Sequence, residues 1–141
     1  MKKKAIAVAL LAAMALTGCG SKGSEGFTGE KVGKAENSKG DITIATVQFE
    51  NGKAKSVEID VEQADGTMKS EQSVSGAYDM KNEPGKKWHE QADLFEEAVV
   101  SNEFDLSKLN VVEGKTDAIS GVTIAVKDFV SAVEDALNQA K

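Results

Sequence analysis

Seven consecutive residues, Asp117-Ala118-Ile119-Ser120-Gly121-Val122-Thr123, stand directly before the last amphipathic stretch of the chain. They offer one carboxylate, two hydroxyls and a glycine. Gly121 lets the backbone turn sharply and come close to a ligand. Ser120 or Thr123 can cap a following helix. The N–H groups of a first helical turn then point outward, with the positive end of the helix dipole behind them. That geometry suits a phosphate. An ordinary N-cap with no ligand accounts for the same residues. Lys127, one turn beyond Thr123, can face the same anion or sit in solvent.

Other chemistry is thinly represented. His89 is the only His, and Glu90 and Asp93 are its nearest acidic neighbours. A metal site needs convergent partners, so none is expected, and His89 reads as a lone surface residue. Trp88 could stack on a planar ligand, but its helical spacing assigns it to the core. Glu96-Glu97 and Glu134-Asp135 read as solvated charge on helix faces. Ser120 lies in no nucleophile-elbow pattern, and no second His is there to activate it. A hydrolase is not expected.

The start of the chain carries a second signal. Met1-Lys2-Lys3-Lys4 is positive, and Ala5 to Leu16 is an apolar run without charge. Leu16-Thr17-Gly18-Cys19 follows. Charge, short apolar core and small residues in that order make a secretory signal, too short for a membrane span. Cys19 after Leu-Thr-Gly resembles the lipobox of bacterial lipoproteins. The resemblance implies cleavage before Cys19 and a diacylglycerol on its thiol. Two acyl chains suffice for stable anchoring at the outer face of a cell membrane. Residues 1–18 are therefore expected to be signal, 19–26 a Gly/Ser/Lys-rich tether and 27–141 one domain.

Composition agrees with an exported anchor. Cys19 is the only Cys, so no disulfide framework or Cys-based metal site is expected. The chain carries 17 basic residues, all Lys, and a formal charge of −6. Loss of Lys2, Lys3 and Lys4 with the signal makes the remainder more acidic still. Such a surface repels phosphate backbones, which argues against nucleic-acid partners. The absence of Arg fits an AT-rich coding sequence of the low-GC Gram-positive kind.

The elements that must position the heptad are legible as periods. Ile42 to Phe49 alternates, Asn51-Gly52 follows, and Val57, Ile59 and Val61 alternate with Glu58, Asp60 and Glu62. This is a hairpin. Ala64-Asp65-Gly66 makes a second turn, and Thr67 to Ser70 is expected to open a third strand. An earlier strand lies between Phe27 and Glu36. Gln72 to Gly85 reads as loop or a short helix. Trp88, Ala92, Phe95 and Val99 share one face of a helix over Lys86 to Val100. A closing helix over Ile124 to Gln139 carries Val126, Phe129, Val130, Val133 and Leu137 on one stripe, which Ala140 extends. The order predicts an α+β fold, an antiparallel meander with helices packed on one face.

The heptad resembles the flavinylation motif of FMN-binding domains, Asp-x-x-Ser/Thr-Gly-Ala-Thr. Such domains occur in the Rnf complex, the sodium-pumping NADH:quinone oxidoreductase and small extracytosolic lipoproteins. The hairpin at Asn51-Gly52, the Lys69-Ser70 stretch, the helix with Trp88 and the closing helix extend the similarity over most of the chain. The resemblance implies FMN esterified to Thr123 by an extracytosolic flavin transferase. Gly121 is then the close-approach glycine, and Ser120 and Asp117 belong to the recognised segment. Val122 departs from the family's Ala and is bulkier. The implied protein is a lipid-anchored electron carrier between a membrane electron donor and an extracellular acceptor, without substrate chemistry of its own. The alternative, which Val122 keeps open, is a lipoprotein of the same fold without flavin, serving as a ligand-binding or interaction module.

Overall fold

A computed structural model describes residues 26–81 and 85–141. The signal segment, Cys19 and most of the tether lie outside the described residues. Three antiparallel strands run in order β1 (Gly29–Glu36), β2 (Ile42–Glu50) and β3 (Lys53–Glu62). The β2–β3 turn is the expected Asn51-Gly52, with φ of 51° and 78°. Two consecutive positive values match the right-handed twist of a tight hairpin. Gly26, expected at the end of the tether, packs against this turn. A Cβ on Gly26 would stand 2.3 Å from Gly52 Cα.

Period-two patterning sends one face of the sheet inward. Ala45, Val47 and Phe49 of β2 and Val57, Ile59 and Val61 of β3 are buried. The opposite face carries half-buried Ile42, Ile44 and Thr46 and the more exposed Val32.

Helices α1 (Lys69–Ser75), α2 (Trp88–Ser101) and α3 (Lys127–Gln139) follow. The expected third strand shrinks to a single bridge between Glu62 and Met68, and a helix begins at Lys69. Asp60 explains the change. Its carboxylate accepts from the Ser70 backbone N–H at 3.0 Å and, over a short bond, from the Ser70 hydroxyl. That satisfies an early amide that helical geometry leaves without an intrahelical partner.

The predicted stripe of α2 is the buried one: Trp88, Ala92, Phe95 and Val99 all lie in the core. On α3, Phe129 and Val133 are buried and Val130 and Leu137 are packed against the core. Phe129 joins the helices, meeting Trp88 and Phe95 edge-on at centroid distances of 5.9 and 5.3 Å. Helix α3 crosses β1 at Gly33, where a Cβ would stand 1.9 Å from the Ala132 carbonyl oxygen. The missing side chain is what permits that approach.

Two acidic residues read as solvated charge instead finish the sheet. Glu96 of α2 accepts from the Ile59 N–H on the β3 edge at 2.7 Å. Asp135 of α3 accepts from the Lys34 N–H on the β1 edge at 2.9 Å, and Gln139 donates to the Val32 carbonyl at 2.8 Å. Each outer strand thus has edge groups occupied by a helix side chain, which blunts pairing with other chains.

Between α2 and α3 lie a short 3₁₀ helix (Leu106–Leu109) and a small hairpin, β4 (Val111–Val112) with β5 (Lys115–Thr116). This hairpin delivers the chain to the heptad.

Candidate functional site

The heptad leaves β5 as an irregular turn, and helix α3 does not begin until Lys127. Three residues separate Thr123 from the helix. No side chain caps α3: Val126 occupies the N-cap position, and its N–H donates to the Gly114 carbonyl at 2.7 Å. The expected capping by Ser120 or Thr123 is therefore replaced by docking of the helix start onto the β4–β5 turn. Lys127 is the first helical residue, and its Cβ lies beside Gly114, 3.5 Å from where a Cβ would stand there.

Each residue of the heptad has a distinct setting. Asp117 is exposed and accepts from the Asn110 side-chain amide at 3.1 Å, tying the motif's start to the end of the 3₁₀ helix. The neighbouring Thr116 hydroxyl donates to the Leu109 carbonyl over a short bond and accepts from the Ala118 N–H at 3.1 Å. Ser120 is exposed. Gly121 has φ +87°, and a Cβ there would stand 3.0 Å from Lys86 Cε and 3.2 Å from Leu94 Cδ1. Left-handed backbone and close approach both require glycine here. The neighbour approached is the Lys86 stem.

Val122 is 4 % exposed and belongs to the hydrophobic core. Its extra bulk over Ala is spent on packing, and it presents little surface to anything that docks on the loop. Thr123 is exposed.

Helix α2 supplies the partner of Thr123. The Gln91 side chain is fully buried. Its Oε1 accepts from the Thr123 N–H at 2.9 Å, the Ile124 N–H at 3.2 Å and the Thr123 hydroxyl at 3.3 Å. Its Nε2 donates to the Lys86 carbonyl at 3.0 Å and lies 3.9 Å from the Met80 sulfur. Donors on one side and a carbonyl on the other define which end of the amide is oxygen. The two backbone N–H groups nearest the candidate acceptor hydroxyl are thereby occupied, so the expected cradle of free helical N–H groups does not form at Thr123.

Gln91 is the residue that sequence reading missed. It lies three positions after Trp88 and four before Phe95, within the apolar stripe of α2. A polar side chain on a buried stripe must find partners, and that was the available signal.

The start of α2 is held locally. Glu90 accepts from the Lys87 N–H at 2.7 Å, the reciprocal arm of a capping box. This bond holds the Glu90 carboxyl below its ordinary pKa, assisted by the charges of His89, Lys86 and Lys87 and opposed by partial desolvation. His89, expected as a lone surface residue, pairs its Nδ1 with the hydroxyl of fully buried Ser73 at 2.8 Å. Among the described residues no cluster of His, Cys, Asp or Glu is arranged to hold a metal. Trp88 is buried in the core, which removes it as a stacking surface for a planar ligand. No described helix is long and apolar enough to cross a membrane.

A second concavity lies at the other end of the helices. An open groove of about 1130 Å³ runs between the β2–β3 turn and the C-terminal ends of α2 and α3, with Phe49, Phe104, Leu106 and Leu137 among its lining. Thr123 is not part of it.

No family model and no curated protein matches the chain. A solution NMR structure of a protein from Clostridium thermocellum, determined as a structural-genomics target, is similar to it. The two share 34% identity and a TM-score of 0.56, over 81% of this chain and 92% of that one. Identity at this level over nearly the whole of the other chain shows common descent as well as common fold. The chain belongs to the same family as this Clostridium thermocellum protein.

Proposed function

We propose that the protein is a covalent FMN carrier, with the flavin phosphate esterified to Thr123, and that it works in electron transfer on the outer side of a membrane. One observation carries the reading: an exposed threonine, within a heptad resembling the flavinylation motif, stands on a backbone fixed from the core. Thr123 lies at the surface, so its hydroxyl offers an attachment point to a transferase. Gly121 lets the turn seat against Lys86 and Leu94, and Val122 turns its bulk inward.

The occupied N–H groups favour covalent attachment over reversible phosphate binding. With the Thr123 and Ile124 amides committed to Gln91, those two donors are not offered to a free phosphate. A phosphoester needs only the hydroxyl.

Bound FMN would supply the one- and two-electron chemistry of its isoalloxazine ring. This chain's own part is attachment, orientation and tethering. The lipobox-like Cys19 and the segment after it would keep the carrier at the membrane surface, where a membrane donor and an extracellular acceptor can meet it. The assignment is tested by expressing the exported protein with a flavin transferase and measuring intact mass. A mass increase of one FMN phosphoester that survives denaturation, and is absent from Thr123→Val, supports it. Unmodified mass in wild-type protein refutes it.

The groove between the ends of α2 and α3 favours a second reading, a flavin-free ligand-binding module. Its lining sets Phe49, Phe104, Leu106 and Leu137 beside charged Lys53, Lys55, Asp105 and Glu134, and would take a small amphipathic ligand. Colourless protein that retains such a ligand through purification would select this reading.

A further inference from the structure

The heptad carries the acceptor hydroxyl and closes its own turn through the Val122 N–H and the Ile119 carbonyl, but Thr123 itself must still be tied to the core. That task falls on a residue thirty-two positions earlier. We infer that Gln91 is a positioning residue for flavin attachment, setting the rate at which Thr123 is esterified; this rests on the flavin-carrier reading above.

The geometry supports a specific role. Oε1 of Gln91 gathers three donors, two backbone N–H groups and the Thr123 hydroxyl. The backbone bonds fix φ and ψ around Thr123. The weaker hydroxyl bond biases the side-chain rotamer and directs the O–H hydrogen inward. An oxygen lone pair is then left toward solvent, where an electrophile must arrive. Gln91 is itself fixed by the Lys86 carbonyl and by complete burial. Lys86 in turn lies against Gly121. The amide therefore couples both ends of the Gly121–Thr123 turn to the first turns of α2.

The chemistry limits what Gln91 can do. Esterification by FMN alone would have to expel an oxide or hydroxide from phosphorus. A flavin dinucleotide, whose FMN phosphate sits in a pyrophosphate bond, provides a leaving group. Thr123 Oγ1 forms the new O–P bond, the pyrophosphate O–P bond breaks, and a nucleoside monophosphate departs. The hydroxyl proton passes to solvent or a transferase base, and no electrons are exchanged. A neutral amide cannot take that proton. Gln91 acts on the approach geometry, and misplacement of a reacting atom by about 1 Å can cost about 100-fold in rate.

The experiment uses the exported chain, a flavin transferase and a flavin dinucleotide. Covalent incorporation is followed by fluorescence of denatured protein while acceptor-protein concentration is varied. Gln91→Met preserves length and apolar packing but removes every hydrogen bond. It is expected to lower kcat for labelling at least 10-fold with a smaller change in KM. Gln91→Glu, assayed at a pH where the buried side chain is the neutral acid, keeps an oxygen for the three donors and an O–H for the Lys86 carbonyl, and is expected to stay within about 3-fold of wild type. Folding of each variant is checked by circular dichroism. Amide hydrogen exchange at Thr123 and Ile124 reports the clamp without any flavin, and is expected to quicken in Gln91→Met and not in Gln91→Glu.

Wild-type and Gln91→Met proteins labelled at equal rates overturn the positioning role and leave the flavin reading standing. Equal loss in folded Gln91→Met and Gln91→Glu also overturns it, because acceptance by Oε1 is then not what matters. If Gln91→Met does not fold, Gln91→Glu decides, and a loss of 10-fold or more with intact structure refutes the role. Wild-type protein that takes up no flavin removes the reading and the role together.

Discussion

Gln91 and Thr123 meet through one amide oxygen, 2.9 Å from the Thr123 backbone nitrogen and 3.3 Å from its hydroxyl. The first belongs to the buried stripe of α2 and the second to an exposed loop. The contact makes the loop an extension of the core. Stability and site geometry are coupled through it.

Removing the Gln91 amide should therefore be felt in stability. Gln91→Leu leaves the Thr123 and Ile124 N–H groups and the Lys86 carbonyl without their side-chain partner. Unpaired buried polar groups cost about 1–3 kcal/mol each, and water access at this half-exposed loop keeps the total near the low end. A loss of about 2–3 kcal/mol in urea unfolding is expected, against less than about 1 kcal/mol for Thr123→Val. Equal effects of the two would show that the clamp contributes nothing beyond the hydroxyl bond.

Gly33 tests the seat of α3. An added methyl would overlap the Ala132 carbonyl oxygen and the Ala136 nitrogen, at 1.9 and 2.5 Å. Both are helix backbone and cannot swing aside. Gly33→Ala should cost about 3 kcal/mol through forced displacement of the helix. A thermal midpoint within 2 °C of wild type, on the order of an unstrained change, would contradict this packing.

Gly121 should respond through backbone strain and a milder clash. Its φ of +87° disfavours any side chain, and the nearest atoms are the flexible Lys86 stem and the Leu94 methyl. Gly121→Ala is expected to cost about 1–2 kcal/mol. On the flavin reading it should also slow labelling of Thr123, which intact mass spectrometry over a time course would record. An unchanged labelling rate would show that the transferase tolerates a side chain at the close-approach position.

Glu90 sets a pH dependence at the start of α2. The Lys87 N–H bond favours the charged carboxylate and lowers its pKa in the folded state. Its contribution is present above the unfolded-state pKa and lost as pH falls through the lower folded-state value. Glu90→Gln should therefore flatten the acid limb of the stability profile below about pH 4.5 and change little at pH 7. NMR titration of the Glu90 carboxyl should give a midpoint below the ordinary glutamate value; a midpoint at or above that value would exclude the capping contact in solution.

Residue pattern alone determined the meander, the Asn51-Gly52 hairpin and the apolar faces of α2 and α3. Those features arise from short-range periods, two for a half-buried strand and 3.6 for an amphipathic helix, so neighbouring residues suffice to reveal them. Local pattern also marked the heptad, whose resemblance to the flavinylation motif singled out Thr123 as the proposed acceptor. It misplaced the start of α3, because Val126 is held by the Gly114 carbonyl across the small hairpin instead of by a capping hydroxyl. It turned Lys69-Ser70 into strand, because the Asp60 carboxylate that organises α1 reaches it from β3. It left Glu96 and Asp135 in solvent, although each occupies an N–H on a sheet edge. Only the tertiary structure joined Gln91 to Thr123. A buried amide must satisfy its hydrogen-bonding groups wherever the folded chain brings partners, and sequence distance carries no information about which partners those are.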